Sequence, residues 1–64
     1  MATKWRRFTC YVYGPSGLHS THTASGRGLT AKAARVQCRT AFLEEPIGRD
    51  VRPKKPKFVL REEK

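Results

Sequence analysis

Apolar and polar positions alternate along "KWRRFTCYVY", residues 4–13. Phe8, Cys10 and Val12 fall on one side of the alternation; Trp5, Arg7, Thr9, Tyr11 and Tyr13 fall on the other. A two-residue period in a breaker-free run of aromatic and β-branched types predicts a strand. The first set makes a core face. The second mixes large rings with a cation, an unusual composition for an idle solvent face. "GPSG", residues 14–17, predicts a turn, with Pro15 pre-setting φ at its first central position. "LHSTHTAS", residues 18–25, predicts the return strand of a hairpin. Its polarity leaves the register open, and with it the facing of His19 and His22. "GRG", residues 26–28, is expected to break that strand.

The period then changes. Thr30, preceded by Leu29, has the chemistry of a helix N-cap. From Ala31 to Glu45 the chain is rich in helix formers and free of Pro and Gly, and Pro46 and Gly48 end the run. At 100° per residue Ala34, Cys38 and Ala41 form one stripe, with Phe42 beside it. Lys32, Arg35 and Arg39 form a second stripe at spacings of three and four. Beyond the helix, "RDVRPKKPK", residues 49–57, reads as a basic connector, because Pro53 and Pro56 exclude helix and favour extended backbone. "KFVLRE", residues 57–62, predicts a last short strand, and a mobile tail is expected from residue 61.

These elements give the order ββαβ: an α+β domain with one helix on one face of a small antiparallel sheet. The 64 residues allow a single domain, hairpin plus helix over 4–48 and basic connector with terminal strand over 49–64. One helix cannot cover both faces of the sheet, so the Trp5 face is either open or covered by the C-terminal arm. A homodimer is compatible with so small a core.

Charge changes the picture most. Fourteen Lys and Arg oppose five acidic residues, a formal net charge of +9. A field of that sign attracts polyanions, nucleic acid above all, with an acidic protein surface as the alternative partner. No apolar run is long enough to span a bilayer. The chain starts at Met1, and "MATKWRR" lacks the apolar segment of a signal peptide, so a complete intracellular protein is expected: cytoplasmic, nucleoid-associated, or nuclear in a eukaryote. In that setting Cys10 and Cys38 are expected to be free thiols packed as small core residues.

Three basic constellations are candidate nucleic-acid contacts. Lys32, in the first helical turn, with Arg35 and Arg39, forms a ridge that either meets phosphates or is a solvated helix face. Trp5, Arg6, Arg7, Tyr11 and Tyr13, with Arg27 at the end of the hairpin, combine rings that stack on bases with cations that reach phosphates or base edges. Arg49, Arg52, Lys54, Lys55 and Lys57 form an arm that follows phosphates or merely solubilises. Cys10, His19, His22 and Cys38 are ligand types for tetrahedral zinc, but without a CxxC pair the spacing is poor, and no metal or cofactor is expected. Two of the five acids form the pair Glu44 and Glu45 and two more the pair Glu62 and Glu63. No nucleophile is set beside an oriented base, so the chain reads as a non-enzyme.

"GRGLTAKAARVQC" resembles the junction before the last helix of double-stranded-RNA-binding domains, at Gly26, Gly28, Thr30, Lys32, Ala34 and Arg35. Ala31 stands where that family has the first of two lysines. The likeness covers about a quarter of the chain, and the family's first helix and one strand have no counterpart. "KWRRFTCYVYGPSGLHSTHTASGRGLTAKAAR" resembles the small arm-binding domain of tyrosine integrases and the sheet-plus-helix domains of plant ethylene-response factors. That resemblance implies a sheet laid in the DNA major groove with the helix behind it. Either Trp5, Arg7, Tyr11 and Tyr13 or the residues on the opposite side of the strand would then face DNA. It also implies a regulatory or accessory role, in a phage or mobile element. The chain has one strand too few before the helix, and residues 57–60 are expected to supply the third.

Overall fold

The computed structural model describes residues 4–48 and 50–63. Four elements follow along the chain: β1 (Trp5–Gly14), β2 (Gly17–Arg27), α1 (Ala31–Leu43) and β3 (Lys57–Glu63). The strands form one antiparallel sheet in the order β2-β1-β3, and the class is α+β. Sheet order therefore differs from chain order. The reason lies in β1. Phe8, Cys10 and Val12 are buried in the middle of this strand, and a buried strand needs ladder partners for its backbone on both sides.

β1 and β2 are joined by a two-residue turn, Pro15–Ser16. Gly17 leaves it at φ 120°, a conformation that a side chain would strain. The break expected at residues 26–28 comes only at the last of them, Gly28. Pairs Arg6↔Gly26 and Trp5↔Arg27 carry β2 to Arg27, because β1 supplies the ladder that a glycine alone cannot. The chain turns at Gly28 (φ 64°), whose N–H donates to the Lys4 carbonyl at 2.9 Å.

Thr30 caps α1 as its chemistry predicts, its Oγ1 accepting from the Ala33 N–H at 3.1 Å. The helix stops at Leu43, two residues short of the expected Glu45. Pro46 disfavours helical backbone at the residue before it. The last turn tightens instead, with Glu45 N–H on the Phe42 carbonyl at 3.2 Å.

The core lies between α1 and one face of the sheet. Phe8, Ala24, Leu29 and Ala34 form one cluster, and Cys10, Val12, Cys38 and Phe42 form the other, with Leu60 packed against both. Ala41, placed by sequence on the core stripe, is only half-buried; the larger Phe42 takes the buried position. The expectation of free thiols is also corrected. Cys10 and Cys38 are joined by a disulfide between β1 and α1, with their Cα atoms 6.2 Å apart. The residues that packing places back to back are close enough to bond.

The segment from residue 61 is not a mobile tail up to Glu63. β3 continues through Glu62 and Glu63, paired with Phe8 and Arg7 of β1. Before it, the connector is held at both ends. Gly48 O accepts from the N–H groups of Val51 and Arg52 at 3.1 and 3.2 Å. The Pro53 ring packs against Gly14 so closely that a Cβ there would sit 3.0 Å from Pro53 Cγ. Arg49, part of the predicted basic arm, lies outside the described residues. No helix among the described residues is long and apolar enough to cross a membrane.

Candidate nucleic-acid interface

Paired residues on neighbouring strands project to the same side of a sheet. The face away from α1 can therefore be assembled from the register. Its rows are Trp5 with Arg27; Arg7 with Ser25 and Glu63; Thr9 with Thr23 and Arg61; Tyr11 with Thr21 and Val59; and Tyr13 with Leu18 and Lys57. Among the described residues no element covers this face: Trp5 is 62% and Tyr13 38% exposed, and Leu18 and Val59 are exposed as well. Tyr11 is half-buried between its neighbours. The C-terminal arm extends the sheet at its edge rather than covering it, which decides between the two alternatives that the chain composition left open.

The face is strongly basic. Arg7, Arg27, Lys57 and Arg61 are all exposed. Among the described residues one acid, Glu63, shares it, opposite Arg7 and hydrogen-bonded by the Thr9 hydroxyl. Lys54 and Lys55 join Tyr13 and Lys57 in lining a cleft beside the hairpin turn, which a second acid, Asp50, also lines. Six of the predicted contacts, Trp5, Arg7, Tyr11, Tyr13, Arg27 and Lys57, thus share one surface, with Lys54 and Lys55 at its end.

Comparison with protein-family models, curated proteins and solved structures finds no match to this chain. The residues themselves must carry the reading.

The other predicted cations sit elsewhere. Lys32, Arg35 and Arg39 are exposed on α1, on the opposite side of the sheet from the open face. Arg35 leans over the β3 side, donating to the Phe58 carbonyl at 3.3 Å. Arg6 points to the covered side. It donates from Nε and Nη2 to the two Glu62 carboxylate oxygens at 2.7 and 2.8 Å, and from Nη1 to the Leu29 carbonyl at 2.8 Å. The hydrogen bond with Glu62 raises the Arg6 pKa above its ordinary value, against the lowering effect of burial. This residue ties β1, β3 and the loop into α1 together. Arg52 is half-buried, its guanidinium 5.8 Å from the Phe42 ring centroid and donating to the Glu45 carbonyl at 3.0 Å. Both are occupied with holding the fold.

One polar cluster was not legible in the chain. The ladder shifts register between Val12 and Tyr13, so that Leu18 pairs with Tyr13 while Ser20 pairs with Val12. The extra residue, His19, turns its ring edge-on to Phe42, with centroids 5.7 Å apart. His19, Ser20 and His22 then converge on Glu45. The two imidazole Nε2 atoms lie 2.7 and 2.5 Å from its two oxygens, and the Ser20 hydroxyl donates at 2.6 Å. Burial would raise the Glu45 pKa, but hydrogen bonds from Ser20, His19 and His22, with the charge of His19, lower it to about 2. The cluster pins the hairpin to the end of α1. No group of three or more potential ligands among the described residues is arranged to hold a metal ion. The two sulfurs of the zinc set are spent on each other, and a disulfide offers no thiolate.

Proposed function

We propose that this protein binds duplex nucleic acid, DNA in preference to RNA, through the open face of its sheet, as a regulatory or accessory factor without catalysis. The observation that carries the reading is the co-location, on one uncovered face, of Trp5, Tyr11 and Tyr13 with Arg7, Arg27, Lys57 and Arg61. Rings offer stacking and apolar contact, and the cations neutralise phosphate. Same-face side chains recur about every 7 Å along a strand, so successive cations on this face can meet separate phosphates. Most of the affinity comes from counterion release, so binding weakens steeply with salt.

Trp5 is the single tryptophan and is 62% exposed on the proposed interface, so its emission reports on the site directly. Titration with duplex DNA, duplex RNA and single strands at two salt concentrations tests the proposal. Duplex DNA should change the Trp5 emission and bind more weakly at the higher salt. Absence of binding at low salt would sink the reading in favour of an acidic protein partner. Binding to RNA alone would reverse the preference for DNA. Binding with unchanged emission would move the interface to the basic ridge of α1.

A further inference from the structure

The two edges of the sheet are built differently. β3 carries Lys57, Arg61, Glu62 and Glu63 in seven residues and is preceded by Pro56. Charges and proline are the devices by which natural sheets keep an edge from pairing with another chain. β2 has only Arg27, at its very end. It is eleven residues long, and between Gly17 and Gly26 it contains no Lys, Arg, Asp, Glu or Pro. Its irregularity is confined to residues 18–20, leaving residues 20–27 in regular register with β1. Among the described residues, no backbone group outside the sheet pairs with its outer side between residues 18 and 26.

The lack of cations extends to the helix. Arg35 donates to the β3 backbone and Arg39 lines a groove with Pro56 and Phe58, so the basic ridge of α1 lies on the β3 flank. At 100° per residue Ala33, Gln37 and Ala41 fall on the other flank, above β2. A chain with net charge +9 thus keeps residues 18–26 of the β2 edge and the Ala33, Gln37 and Ala41 flank free of Lys and Arg; the charges beside them are Arg27 at the strand end and Glu44 and Glu45 beyond the helix, the latter held by His19, Ser20 and His22. Two copies of so basic a protein can approach closely only along such a side.

We infer that the β2 edge is a homodimer interface, at which β2 pairs antiparallel with β2 of a second copy about a two-fold axis perpendicular to the sheet. With the axis at Thr23, Thr23 faces its symmetry mate and Thr21 faces Ser25 of the other copy, cross-strand hydroxyl pairs of the favourable kind. The two Arg27 residues are then eight positions apart along the ladder. That is roughly 26 Å, well beyond the ~10 Å screening length at moderate salt, so they do not oppose association. The product is a six-stranded sheet, β3-β1-β2-β2-β1-β3, whose remaining edges are both the guarded β3. The axis leaves both helices on one side and joins the two open faces into one continuous surface. Small residues on the helix flank, Ala33 and Ala41, leave room for the two helices to lie side by side.

The inference is independent of nucleic-acid binding and is tested without nucleic acid. Sedimentation of the wild-type chain over a concentration series should give a mass that rises to twice that of one chain, and higher salt should favour the dimer. Thr21→Lys/Thr23→Lys sets like charges across the axis and should sediment as a single chain, with unchanged circular dichroism. Wild-type protein that keeps the mass of one chain throughout the series at both salts would overturn the inference, as would a double variant that remains dimeric. Should the variant not fold, amide exchange of the wild type decides. The outward N–H groups of residues 20–27 should exchange more slowly as concentration rises, and concentration-independent exchange refutes the interface.

Discussion

Reducing the Cys10–Cys38 disulfide should cost this domain a large part of its stability. The two half-cystines are separated by 28 residues and are 0% and 1% exposed. Closing a loop of that length removes enough conformational entropy from the unfolded chain to stabilise the fold by about 3.5 kcal/mol at 25 °C. A 64-residue domain has only roughly 3–10 kcal/mol in all. Its unfolding entropy, near 2.1 cal/mol/K per residue, converts the loss into a fall in Tm of roughly 25 °C. The assay is thermal unfolding followed by circular dichroism with and without a reductant, alongside thiol titration in denaturant. No free thiol should titrate before reduction, and two should titrate after it. Cys10→Ala/Cys38→Ala should unfold at or below the melting temperature of the reduced chain, since truncating two buried sulfurs also removes packing. Two thiols titrating in the untreated protein would refute the bond. An unchanged Tm after verified reduction would refute the entropic argument and leave the pair as simple core filler.

The remaining predictions concern the Glu45 cluster, the helix cap and the two basic surfaces. The Glu45 pKa falls from its ordinary 4.5 to about 2 in the folded chain, so its contribution is present above the unfolded value and is lost as pH falls from 4.5 through about 2. At ~1.4 kcal/mol per pH unit the ceiling is about 3 kcal/mol. The difference in urea midpoint between wild type and Glu45→Gln should therefore shrink across that window, and a difference independent of pH would contradict the assignment. Thr30→Ala removes the side-chain acceptor of the Ala33 N–H and should lower stability by about 1 kcal/mol in chemical denaturation. Arg7→Ala/Arg61→Ala should reduce the slope of log K against log salt by about 2, near 0.9 per lost phosphate contact. Lys32→Ala/Arg39→Ala should leave that slope unchanged if the duplex lies on the sheet, and the opposite pattern would place it on α1.

Much of this fold is local chemistry and was legible in the chain. The alternation of Phe8, Cys10 and Val12, the turn at Pro15–Ser16, the Thr30 cap and the stop before Pro46 each depend on residues close in sequence. Period and propensity act over that range. So does the composition of the Trp5, Arg7, Tyr11 and Tyr13 side of β1. What the chain could not reveal depends on pairing across distance. Whether β3 would cover the open face or extend the sheet turned on ladder bonds to a strand some fifty residues away, and the choice brought Val59 and Arg61 into the candidate interface. The period-two recurrence of Lys57, Val59 and Arg61 was the available signal, but it has no meaning until a partner strand is known. The one-residue register shift opposite Tyr13 set His19, Ser20 and His22 on Glu45, and no pattern in a uniformly polar strand marks where a ladder will slip. Cys10 and Cys38 were recognisable as core residues from their stripes. Only the packing of α1 on β1 brought their Cα atoms to 6.2 Å, because the distance between two elements is set by the side chains that fill the space between them. The sequence by itself determined the elements and the sign of the charge. The tertiary structure decided which face stays open, which cations stand on it, and which edge is unguarded.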